Sequence, residues 1–104
     1  MGFNMQKLMK QAQKMQNDMN RVKEELHEAT VEGAAGGNMV RVSATGDGEI
    51  LAVEIDPQVI DPEDKEMLED MVLAAVKDAM SKANALSQEK MGAVTGGLNM
   101  PGMF

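Results

Sequence analysis

From Met5 to Ala29, apolar residues recur in an unbroken alternation of threes and fours: Met5, Leu8, Ala12, Met15, Met19, Val22, Leu26, Ala29. This is a heptad seam, with Met5, Ala12, Met19 and Leu26 at position a and Leu8, Met15, Val22 and Ala29 at position d. The Gln, Lys, Met and Ala residues around it favour helix, and no Gly or Pro interrupts before Gly33. A helix over residues 5–26 would be about 33 Å long at about 1.5 Å per residue. The chain has 104 residues, enough for one small domain. Such a helix is longer than that domain needs to cover its own core, so the seam packs against another long helix or part of it protrudes.

The middle of the chain changes period. Thr30 and Val31 lie just ahead of Gly33, Gly36 and Gly37, which places a first short strand at about 28–32. Residues 39–45 alternate, with Val40, Val42 and Ala44 on one face and Met39, Arg41, Ser43 and Thr45 on the other. Gly46-Asp47-Gly48 is a hairpin signal. It leads into a third strand at 49–56, with Leu51, Val53 and Ile55 opposite Ala52, Glu54 and Asp56. A three-stranded antiparallel meander with one apolar face needs a cover. The second helix, expected over 62–91, begins with a potential cap at Asp61, Pro62 at its first position, and Glu63 and Asp64 at the positive end of its dipole. Met67, Leu68, Met71, Val72, Ala75, Val76, Ala79, Ala83 and Leu86 follow a period of about 3.6 residues. Gly92 is expected to stop the helix, leaving 92–104 as an uncharged, glycine-rich mobile tail after a single domain at 1–91. The class is α+β, in the order α-β-β-β-α.

Composition excludes much chemistry. There is no cysteine, hence no disulfide, thiolate nucleophile or thiolate metal site. The single histidine, His27, rules out two-histidine metal motifs. Ser43, Ser81 and Ser87 have no histidine at a plausible position. The acidic run Asp56, Asp61, Glu63, Asp64, Glu66, Glu69, Asp70 lacks the alternating pattern of a calcium loop and reads as capping plus a solvated helix face. Residues 33–37 lack the lysine of a phosphate loop. We therefore expect no catalytic residues, cofactor, metal or small-molecule substrate. No apolar run approaches the roughly 20 residues of a membrane span, so no membrane partner is expected and the location is cytoplasmic. Twelve Met beside two Phe, with no Trp or Tyr, make a core thin in aromatics, which suggests that a partner chain supplies part of the burial. The seam methionines read as adaptable core filler.

Charge is segregated. The net charge is −7, yet up to Lys23 there are five basic residues (Lys7, Lys10, Lys14, Arg21, Lys23) against one acid, Asp18. That segment carries +4 and the remainder −11. Lys7, Lys14 and Arg21 fall on heptad position c and Lys10 on f, forming one outer stripe. The stripe could neutralise duplex phosphates with little base preference. From the pattern alone, a solvated face that keeps the helix soluble is the favoured reading. A homodimer at −14 would repel a polyanion at long range, and stacking residues for single-stranded bases are lacking.

Three segments taken together carry a resemblance: LMKQAQKMQ at 8–16, VEIDP at 53–57 and DKEMLEDMV at 64–72, followed by a Gly/Met/Pro/Phe tail. In this order the chain resembles, over nearly its whole length, the YbaB/EbfC family of bacterial nucleoid-associated proteins. The resemblance implies a tweezer-like homodimer whose sheets join into a central platform and whose long helices project as arms. It implies a nucleoid-associated, non-enzymatic protein that binds double-stranded DNA with little sequence preference and contributes to gene regulation. DNA contact then maps to Lys7, Lys10, Lys14, Arg21 and Lys23 on the first helix, with Lys82 and Lys90 as secondary candidates. Met15, Met19, Val22, Val40, Val42, Leu51, Val53 and Ile55 are the expected core and dimer-interface residues. The rival reading is an acidic helical dimer that acts as a protein-interaction module.

Overall fold

The structure, a computed structural model, describes residues 4–96. Helix α1 spans Met5–Glu28, two residues beyond its expected end. Its start is fixed by Asn4, whose Oδ1 accepts from the Gln6 and Lys7 amides at 3.0 and 3.2 Å. Its end is Ala29, which is extended but still donates its N–H to Glu25 O at 2.9 Å.

The strands are β1 Thr30–Ala35, β2 Val40–Thr45 and β3 Ile50–Ile55, forming an antiparallel sheet in the order β1-β2-β3. β2 and β3 lie within a residue of their expected bounds. β1 does not lie at 28–32, because α1 runs on through Glu28 and Gly33 sits inside the strand instead of ending it. The turn comes later, where Gly36, Gly37 and Asn38 all take left-handed φ values of 62°, 66° and 70°. Between β2 and β3 the register slips at Ser43/Ala44, so that Ala44 faces Ile50 and Leu51 is the extra residue of a bulge.

Helix α2 spans Lys65–Gly96. The expected start at Pro62 is instead a 3-10 turn, Pro62–Asp64, capped by Asp61 Oδ1 on the Glu63 amide at 2.9 Å. Nor does Gly92 stop the helix. A mid-helix glycine costs only about 1 kcal/mol, and beyond it Ala93 and Val94 line a cleft with Asp18, Arg21 and Val22 of α1. Residues 92–96 thus belong to α2, and the rest of the expected tail, 97–104, lies outside the described residues.

α2 packs across β1 and β2. Val40, Val42 and Ala44 of β2 meet Ala75 and Ala79 of α2, with Val31, Ala35, Leu68, Met71, Val72 and Val76 around them. Alanines at every fourth position bring the helix very close to the sheet. A Cβ placed on Gly33 would lie 2.2 Å from Ala79 N and 2.5 Å from Ala75 O. This close approach explains the glycine inside a strand.

The two sheet edges differ. At β1, Asp78 Oδ2 accepts from the Ala34 amide at 3.0 Å and Lys82 Nζ donates to Glu32 O at 3.0 Å, so α2 closes that edge. The Ala34 bond first, and Lys82 second, hold the Asp78 carboxyl below its ordinary pKa. Among the described residues nothing pairs with the outer edge of β3. Val53 lies across from Val42 on the face that α2 covers elsewhere, yet it is 45% exposed, and Leu51 is 53% exposed. The molecule measures 76 × 27 × 16 Å, with a radius of gyration of 20.3 Å against about 13 Å for a compact chain of this length.

Candidate nucleic-acid interface

α1 is an arm. At about 1.5 Å per residue its 24 residues reach about 36 Å. Only its second half touches the body: Val22 and Leu26 are buried, Met15 and Met19 half-buried, and every other residue from Met5 to Asn17 is exposed. Helix geometry puts Lys7, Lys10 and Lys14 on the side of the arm away from the seam, and their side chains have no ion pair or hydrogen bond among the described residues. Lys23, further down the arm, is equally unpaired and exposed.

The other expected cations are engaged. Arg21 lies 3.4 Å from Asp18 and 3.9 Å from Glu25, one turn to either side. Lys82 is 3.3 Å from Asp78 while closing the β1 edge. Lys90 reaches Glu25 at 3.4 Å across the α1–α2 contact. Exposed ion pairs are individually weak, but each carboxylate cancels charge that would otherwise face a polyanion. The structure therefore gathers Lys7, Lys10 and Lys14 on one outward face, and it separates Lys82 and Lys90 from them. The acids of the 56–70 run sit at the opposite end of α2 from α1. Asp56, Asp61 and Asp64 accept from the Gln58, Glu63 and Met67 amides, as caps do.

The root of the arm holds a cluster that the sequence did not reveal. His27 Nδ1 and Asp47 Oδ2 are 3.0 Å apart, Thr45 Oγ1 donates to Asp47 Oδ1, and the Glu49 amide donates to Thr45 Oγ1 at 2.9 Å. The Gly46 amide donates to Ala29 O at 3.0 Å. Together these bonds tie the end of α1 to the β2–β3 turn. The Asp47 hydrogen bond and charge raise the His27 pKa above its ordinary value. The Thr45 hydroxyl, then His27, lower that of Asp47.

Known proteins resemble this chain over nearly its whole length. Residues 1–98 match the family model described as the YbaB/EbfC DNA-binding family. A protein of Pelotomaculum thermopropionicum named nucleoid-associated protein is 55% identical over 104 residues, covering 100% of this chain and 99% of its own. A nucleoid-associated protein of Acetivibrio thermocellus is 52% identical, covering 99% of this chain and 92% of its own. The crystal structure of an uncharacterized protein from Helicobacter pylori shares the fold, with a TM-score of 0.74 at 23% identity over 93% of this chain and 99% of that one.

Proposed function

The chain belongs to the YbaB/EbfC DNA-binding family, and from that premise we propose that it binds duplex DNA along the outer face of α1, mainly through phosphates. The observation that carries this reading is the row of unpaired lysines, Lys7, Lys10 and Lys14, on a helix that stands clear of an acidic body. Their spacing of three and four residues keeps them on one line, which suits a phosphate backbone, and the neighbouring Gln13 amide is spent on Asn17 Oδ1 at 3.3 Å. Contact of this kind is tolerant of sequence. The protein then works in the cytoplasm at the nucleoid, contributing to nucleoid organisation and through it to gene regulation, as the names of its relatives suggest.

The functional unit in this reading is a homodimer. The open edge of β3, its exposed Leu51 and Val53, and the exposed Leu73 and Met80 on α2 form the surface on which a second copy would sit. Met80 lies on the flank of α2 beside the β2–β3 turn, since its Cε would be 3.3 Å from a Cβ on Gly48. Leu73 is one heptad earlier on the same flank. A dimer places two cationic arms on one platform, which offsets the long-range repulsion of its net charge.

Fluorescence anisotropy of a labelled duplex across a salt series tests the reading. Each neutralised phosphate contributes about 0.9 to the slope of log K against log salt, so Lys7, Lys10 and Lys14 changed together to Gln should flatten it by about 2.7 per engaged arm. Arg21→Gln should change it by less, because Asp18 and Glu25 already hold that charge. An unchanged slope in the triple variant would remove DNA from this face. Undetectable binding of the unaltered protein at low salt would leave the protein-interaction module as the reading.

A further inference from the structure

The same arm has a second face. Positions a and d of the seam are buried where α1 meets the body, at Val22 and Leu26, but Met5 is 60% and Leu8 46% exposed and Ala12 is exposed as well. Among the described residues nothing covers this upper seam. We infer that it pairs with the same segment of a second copy's arm, the two helices antiparallel, so that arms from different molecules clasp one another.

Three features favour a second copy as the occupant. The seam is self-complementary when antiparallel, because position a then faces position d of the other helix. Met5 falls opposite Met15 of the second copy and Leu8 opposite its Ala12, a large side chain against a small one. The flanking e and g positions along this stretch are Met9, Gln11 and Gln16, all uncharged, while Lys7, Lys10 and Lys14 occupy c and f on the outside. Pairing therefore brings no cations face to face and leaves the lysine row open. The charge distribution then selects the orientation. The residues after Lys23 sum to −11, and a parallel pair would set two such bodies side by side. An antiparallel pair holds them at opposite ends of the arms, beyond the roughly 8 Å over which such charges interact at physiological salt.

From Met5 to Met15 the seam covers about 15 Å, too short to hold two helices together strongly in dilute solution. Arms concentrated on neighbouring stretches of DNA would pair far more readily, because the second contact becomes local. The pairing itself does not depend on the DNA reading. Its consequence, two duplexes held together through clasped arms, does.

The chain has no cysteine, so thiols introduced into the full-length protein report on single positions. Met5→Cys and Met15→Cys proteins, mixed without DNA and treated with a short bismaleimide, should give a cross-linked product at least fivefold above that of either protein alone. The yield should rise with protein concentration. Leu8→Cys mixed with Ala12→Cys, at two exposed positions, reads the same alignment should Met15→Cys disturb the fold. Leu8→Asp added to both the Met5→Cys and Met15→Cys proteins should return the yield to background while circular dichroism stays unchanged. Equal yields from mixed and single proteins, a yield independent of concentration, or indifference to Leu8→Asp would each overturn the pairing.

Discussion

Replacing Gly33 by alanine probes the contact on which the body of the molecule rests. The new methyl carbon would lie 2.2 Å from Ala79 N, 2.5 Å from Ala75 O and 2.7 Å from Ala79 Cα. These are backbone atoms, so no side-chain rotation relieves the clash. α2 must withdraw by about 1.2 Å to restore ordinary contact. A retreat of that size opens the whole layer in which Val40, Val42 and Ala44 meet Ala75 and Ala79, where gaps of about 0.5–1 Å already forfeit a quarter to a half of the dispersion attraction. Overpacking costs about 1–3 kcal/mol, and an immovable neighbour puts this site near about 3. Against that, alanine in place of glycine stabilises by about 0.5–1 kcal/mol through the unfolded chain. The net loss is about 2 kcal/mol, equivalent to a fall in Tm of about 8–16 °C for a domain of this size. Gly37→Ala is the control. It meets nothing within 4 Å, but its φ of 66° predicts a loss of about 1 kcal/mol from backbone strain alone. Urea denaturation followed by circular dichroism at one fixed protein concentration compares them, since a dimer's stability depends on concentration. A Gly33→Ala loss no larger than that of Gly37→Ala would refute the close approach of α2.

Two further predictions follow from the β2–β3 hairpin. If two copies join through β3 as proposed, Val53→Asp should convert that dimer to monomer in size-exclusion chromatography with light scattering, because an unpaired charge buried in such an interface costs about 3 kcal/mol or more; an unchanged dimer mass would put the interface elsewhere. His27, the sole histidine, should titrate above the ordinary histidine value in an NMR pH series and return towards it in Asp47→Asn. Its raised pKa makes the arm-root contact fully favourable below the ordinary histidine value and lost as pH rises through the raised one. The lowered Asp47 pKa removes the contact again as pH falls through that lower value. No difference between the two proteins would mean that the pair does not form in solution.

The elements were legible in the sequence wherever period was the signal. The heptad seam, the alternation at Val40–Ala44 and the spacing from Met67 to Leu86 each found their helix or strand. Punctuation misled twice. Gly33 and Gly92 read as breaks because glycine usually marks them, but one admits a passing helix and the other lies in a helix that runs on beside α1, where Ala93 and Val94 line a cleft with Asp18, Arg21 and Val22; both neighbours lie far away in sequence. The candidate site divides in the same manner. Lys7, Lys10 and Lys14 share a face by helical spacing alone. Arg21's neutralisation was also readable, with acids three residues before and four after it. The engagement of Lys82 with Glu32 and of Lys90 with Glu25 spans 50 and 65 residues, beyond any local pattern. The arm-root cluster of His27, Thr45 and Asp47 escaped notice for the same reason.

The unlike edges of the sheet set its valence. With Asp78 holding the Ala34 N–H and Lys82 the Glu32 carbonyl at the outer edge of β1, β3 is the edge left open to another strand, so a sheet-joined assembly would take one neighbour per molecule. Two such molecules that meet through their β3 edges consume both, and growth halts at a closed pair. A sheet open on both sides would go on adding copies, a real hazard for a protein crowded along a polymer. Two side chains on α2 therefore act as a chain terminator, and any larger assembly has to be built through some other part of the molecule.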